Sequence, residues 1–213
     1  MKNFISYEKE KAKAFNIFTA LLCQPDKELE TDKKIFEELK SSFKMICPDC
    51  FENFNLLIDS NRSYKPLELL VEYTRLFIGP FKILVHPYSC MYFGAKALMS
   101  DETLWVINYY EKMGLEVNQE KIKDSPDHIA VETEFLYYLT FNMLKEIENN
   151  NFEKAKFYYD GQVEFFNKHY KVWVLKFCDS ILENSKNEYY KTLANCIKEF
   201  LTSIYFAEFP QIS

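Results

Sequence analysis

Asp127, His128 and Glu132 lie close together in Pro126-Asp-His-Ile-Ala-Val-Glu132, a grouping of types that does acid–base or metal chemistry elsewhere. On a helix, His128 and Glu132 stand four apart, on one face and within reach of each other. One reading is structural: an Asp at a helix N-terminus compensating the dipole, and a His–Glu pair fixing the helix among its neighbours. The other is a metal-dependent, phosphohydrolase-like centre built on Asp127, His128 and Glu132. Such a centre needs several further ligands, and the remaining histidines, His86 and His169, stand in no ligand-spaced motif. A Cys–His nucleophile, for example Cys90 with His86 or His128, has no supporting pattern. A phosphate-cradling loop is excluded more firmly, because neither G-x-x-x-x-G-K-[ST] nor G-x-G-x-x-G occurs. Cys47-Pro-Asp-Cys50 has C-x-x-C spacing, but lacks the second ligand pair of a structural zinc and the βαβ setting of a thioredoxin-like site. It reads as an ordinary helix junction, and no metal or other cofactor is expected.

The elements that must position these residues are helical. Leu69, Leu70, Tyr73, Leu76 and Phe77 recur at helical spacing, and Gly79-Pro80 stops that helix. The segment from Phe81 to Tyr92 is too apolar to lie wholly in water, so it plugs the core or lines a groove. Upstream, helices are expected over about Ile5 to Cys23, Lys33 to Met45 and onward from Pro48, with Pro66 in a first turn. Ser100 is expected as an N-cap, and Met113-Gly114 as a stop. Asn118 to Asp124 reads as an exposed polar linker, and Ser125-Pro126-Asp127 as N-cap, N1 and acidic first turn of a long helix to about Ile147. Asn149 to Asn151 breaks that helix, and three apolar stripes follow. No strand pattern, internal repeat or low-complexity tract occurs. The fold class expected is all-α, one domain of about nine helices over residues 1–213.

Only four Gly and seven Pro stand among 213 residues, which favours helices over turn-rich β structure. The 20 Phe and 15 Tyr must mostly fill a core, with some free to line a binding surface. A net charge of −6 argues against a general nucleic-acid binder and is compatible with a cationic partner. No apolar run reaches the length of a membrane span. Glu8, Glu10 and Asn16 interrupt any signal-peptide pattern, so a cytoplasmic protein is expected.

Two segments resemble the hallmarks of the TorD/DmsD/NarJ family, the cytoplasmic chaperones that mature molybdenum oxidoreductases. Its first pattern, Y-x-x-L-F-x-G-P followed by P-x-x-S/E-x-Y, is matched by Tyr73, Leu76, Phe77, Gly79, Pro80, Pro87, Tyr88, Ser89 and Tyr92. Ser89 comes one place early, and His86-Pro87 stands where the family often has two prolines. Its second pattern, P-D-H-x-x-x-E-L-x-F-L, is matched by Pro126, Asp127, His128, Glu132, Phe135 and Leu136, with Thr133 replacing Leu. Thr103 to Leu115 is similar to a family helix ending Y-x-x-x-G-L, and His169, Trp173 and Phe177 echo H-x-x-x-W-x-x-x-F. The likeness covers about Ala14 to Phe200.

The resemblance implies a TorD-like helical fold and a non-catalytic, system-specific chaperone of anaerobic respiration. It would bind the twin-arginine leader, the apo catalytic subunit, or both, of a molybdopterin-dependent oxidoreductase until cofactor insertion is complete. A leader of paired arginines and an apolar helix needs carboxylates for guanidinium bonds beside an aromatic groove. Asp127 and Glu132, with Glu72 and Glu134 as lesser candidates, would supply the first. Tyr73, Leu76, Phe77, Pro87, Tyr88 and Tyr92 would supply the second. His128 would join by hydrogen bonding, Ser89 lies in the matched loop, and Gly79, Pro80 and Pro87 would shape it. The client is one of several reductases or dehydrogenases. The family also implies a monomer or a dimer that swaps helices, with Asn118 to Asp124 as hinge. The alternatives are the phosphohydrolase-like enzyme and a non-catalytic helical assembly module.

Overall fold

The apolar stripes are buried against one another in the computed structural model, which describes residues 1–25, 33–115 and 124–210. Nine α-helices occur among them: α1 (Lys2–Leu22), α2 (Lys33–Ile46), α3 (Phe51–Ser63), α4 (Pro66–Tyr73), α5 (Asp101–Lys112), α6 (Ile129–Glu148), α7 (Phe152–Phe165), α8 (Lys171–Asn184) and α9 (Glu188–Ser203). The expected all-α class is met. The proposed hinge, except for Asp124, lies outside the described residues. No helix among them is long and apolar enough to cross a membrane.

The centre is aromatic. Phe15, Phe18, Phe43, Phe54 and Phe200 are fully or almost fully buried. Edge-to-face contacts such as Phe18 on Phe200, with ring centres 5.3 Å apart, lock α1, α2, α3 and α9 together. Helix α1 also packs along α6, and α6 along α7, so α6 is the spine that carries the second motif.

Helix α4 runs into a π turn, Thr74–Ile78, and stops at Gly79 as expected. Gly79 has φ of +63°, and the Leu76 carbonyl accepts from both Leu84 and Val85 N–H, which folds the next segment back. The tip of that segment, Phe81, is 99 % exposed, but from Val85 the chain turns inward and ends in a 3₁₀ turn, Ser89–Tyr92.

Three local expectations are corrected. Ser100 precedes α5, but its buried hydroxyl caps nothing. Helix α6 starts at Ile129 and is capped by His128, not by Ser125, whose hydroxyl donates to the Asp127 carboxylate instead. Cys47 and Cys50 are not an ordinary junction: the 3₁₀ turn Pro48–Cys50 brings their Cα atoms to 5.4 Å, and a disulfide joins them.

Candidate functional site

The two motifs meet through their backbones. Ser89 N–H donates to the Asp127 carbonyl at 2.9 Å, and Ile129 N–H donates to the Pro87 carbonyl at 2.8 Å. Tyr88 and His128 thus form an antiparallel bridge. The Asp127 carboxylate completes the clasp, accepting from Cys90 N–H at 3.1 Å and from the Ser125 hydroxyl. It is fully buried, so Asp127 ties the loop to the helix start. Burial, with Asp127 alongside, pushes the Cys90 thiol up to about 12, which leaves no thiolate for nucleophilic chemistry at neutral pH.

Glu132 points the other way from His128, so the expected His128–Glu132 pair does not form. Its carboxylate has 0 % exposure, accepts from Trp173 Nε1 at 2.7 Å and pairs with His169 Nε2 at 2.9 Å. His169 Nδ1 in turn faces Glu102 at 3.2 Å. The π turn Phe166–Tyr170, running without a break from α7 into α8, carries His169 into this position. Burial opposes the charge on this imidazole, but the two carboxylates prevail and raise its pKa. Burial also raises that of Glu132, against the pull of His169 and Trp173.

His128 uses Nδ1 to accept Ala130 N–H at 3.2 Å, which leaves Nε2 facing Asp124 at 3.6 Å. Burial lowers its pKa against the opposing pull of Asp124 and Asp127, so the neutral ring is favoured. Asp124 is half-exposed and also accepts the Tyr88 hydroxyl at 3.1 Å.

Beside this cluster opens a groove of about 690 Å³ between α1, the end of α4, the loop at Pro87 and the first turns of α6. Six of the expected residues line it: Tyr73, Phe77, Pro87, Tyr88, His128 and, among the lesser candidates, Glu134. Its other walls include Tyr110, Val131, Phe135 and Tyr138, and its polar edge has Asp124 and the exposed Glu134.

The remaining expected residues lie elsewhere. Leu76 is core, and Gly79 and Pro80 form the turn. Ser89 is buried beside Glu132, and Tyr92 packs on Trp173 with ring centres 5.6 Å apart. Asp127 and Glu132 have the internal partners described above, and the Glu72 carboxylate accepts from Arg75 Nε and Nη2, each at 2.7 Å. Asp124 was missed as part of a polar linker; its place four residues before His128 was the signal that could have found it.

The side chains of Asp127, His128 and Glu132 turn to three separate sets of partners and share no centre. No cluster of three His, Cys, Asp or Glu suited to a metal ion occurs among the described residues.

Comparison with known proteins agrees with this architecture. The sequence model of the nitrate reductase delta subunit family matches residues 33–179. The chaperone protein TorD of Vibrio parahaemolyticus is 26 % identical over 218 residues, covering 94 % of this chain and 95 % of the relative. That of Aliivibrio fischeri is 26 % identical over 164 residues, covering 72 % and 73 %. A crystal structure of a candidate redox enzyme maturation protein from Archaeoglobus fulgidus shares the fold at a TM-score of 0.55 and 23 % identity, over 90 % of this chain and 93 % of that one. With the family match spanning well over half of the sequence, the chain belongs to the nitrate reductase delta subunit family, the TorD/NarJ group of molybdoenzyme maturation chaperones.

Proposed function

We propose that the groove beside the Tyr88–His128 bridge is the seat of a client's twin-arginine leader, and that the protein acts in the cytoplasm without catalysing a reaction. The observation that carries this reading is the composition of the groove: aromatic walls from both motifs, with Asp124 and Glu134 on its edge. The apolar face of a leader helix packs on Tyr73, Phe77, Phe135 and Tyr138. Its arginines reach the exposed carboxylates, where charge-assisted bonds form without the cost of opening a buried pair. Asp124 and Glu134 take the role first expected of Asp127 and Glu132, whose carboxylates are already satisfied inside the fold. Holding the leader keeps the apo-subunit from export until its cofactor is in place.

The test is calorimetric titration of the full chain with a peptide of two arginines followed by an apolar stretch. The expected result is a micromolar or tighter Kd, weakened about tenfold or more when both arginines become alanine. Asp124→Asn weakens binding with the helical circular dichroism unchanged. Equal affinity for the arginine and alanine peptides would remove the proposal. Turnover of a phosphoester would favour the enzyme reading, and absence of both activities the plain assembly module.

A further inference from the structure

The seam that holds the groove does not end with it. Beyond Tyr138 a second groove of about 390 Å³ lies between α1 and α6, lined by Lys9, Lys13, Asn16, Tyr137, Phe141 and Lys145, among others. The same two helices form both grooves: the last turns of α1 meet the first turns of α6 in one, and the middle of α1 meets the end of α6 in the other. On α6, Glu134, Phe141, Lys145 and Glu148 succeed one another on a single outward stripe, where Phe141 is 50 % exposed.

The charge reverses along the seam. Asp124 and Glu134 edge the first groove, whereas three lysines line the second against one carboxylate, Glu148. In a chain of net charge −6, that is a local inversion. Lys9 meets Glu148 at 3.5 Å with both side chains more than half exposed, a pair of little strength that an incoming carboxylate can replace. Lys13 is held by both oxygens of Glu10 at 2.8 Å, which largely cancels its charge, so Lys9 and Lys145 carry the basic character of the groove.

We propose that this second groove is a basic subsite for an acidic stretch lying beyond the apolar part of the same partner segment, a reading that rests on the leader seat above. From Glu134 to Lys145 is about 16 Å along the helix. A helical partner crosses it in about eleven residues, and an extended one in about five. The occupant is therefore bipolar: arginines at the Asp124 end, an apolar middle on the aromatic walls, and carboxylates beside Lys9 and Lys145.

The experiment titrates the full chain with three peptides that share one arginine–apolar core and end in three glutamates, three glutamines or three lysines. At low salt the glutamate tail is expected to bind about fivefold to tenfold tighter than the glutamine tail, and the lysine tail weaker than either. The double variant Lys9→Glu, Lys145→Glu reverses that order, and Lys9→Gln, Lys145→Gln abolishes it should the first variant lose its helical signal. Core binding that ignores the tail, or a glutamate preference that survives both variants, overturns the subsite and leaves the leader seat standing. If no peptide binds, the seat itself fails and the subsite falls with it.

Discussion

At the scale of single residues, two buried histidines respond to pH in opposite senses. His169 lies between Glu132 and Glu102, which raise its pKa above the unfolded value. Its contribution to stability is fully present below about pH 6.5 and is lost as pH rises through the folded pKa. His128 is lowered by burial, as is the less buried His86. Their contribution is present above about pH 6.5 and is lost as pH falls through the folded pKa values. Melting temperature followed by circular dichroism is therefore expected to peak near pH 6.5 and to fall on both sides. His169→Gln flattens the alkaline side, and His128→Gln reduces the acid side. Glu132→Gln leaves the imidazole with a neutral partner and lowers stability by about 3 kcal/mol at neutral pH in urea unfolding. An alkaline slope unchanged by His169→Gln would contradict this assignment.

At the scale of elements, the segment from Pro66 to Tyr92 is shaped by one glycine. A Cβ on Gly79 would stand 2.1 Å from the Lys82 carbonyl oxygen, at a φ of +63°. Backbone cannot yield there as a flexible side chain can, so Gly79→Ala is expected to cost about 2 kcal/mol or more in urea unfolding. It also weakens peptide binding, because the displaced turn carries Pro87 and Tyr88 with it. A neutral effect on both measurements would refute the geometry. The helices themselves were legible, because apolar spacing, the glycine stops and the proline at the first turn of α4 are local signals. The groove was legible in part. Tyr73, Phe77, Pro87, Tyr88 and His128 carry motif spacing; Tyr110 and Phe135 also fall in matched patterns but were not assigned to a groove, and Tyr138 looks like any core aromatic on a helix. Whether a carboxylate faces water is decided by the neighbouring helices. That is why Glu132, satisfied by Trp173 and His169 from the next helices along the chain, was expected to bind arginine. The start of α6 was misread for a related reason: Asp127 serves the Cys90 backbone rather than its own helix.

At the scale of the whole molecule, an aromatic core locks α1, α2, α3 and α9 together, α6 packs on α1 and α7 on α6, and the motif loop is hung on α6 by the 87–89 to 127–129 pairing. The apolar surface is divided accordingly. One part lies inside the groove, and another lies on the outside of α4 and the loop tip, where Leu67, Val71 and Phe81 are exposed. Both could receive an apolar segment, but two carboxylates, Asp124 and Glu134, edge the first, whereas the exposed Glu68 beside Leu67 already accepts the Lys65 N–H. The direct measurement is photo-crosslinking: a leader peptide carrying a photoreactive phenylalanine in its apolar stretch is irradiated with the full chain, and the adducts are mapped by mass spectrometry. Adducts on Tyr73, Phe77, Tyr88 and Tyr138, suppressed when the peptide's arginines are alanine, are the expected result. Adducts confined to Leu67, Val71 and Phe81 would place the partner on the outer face and contradict the account.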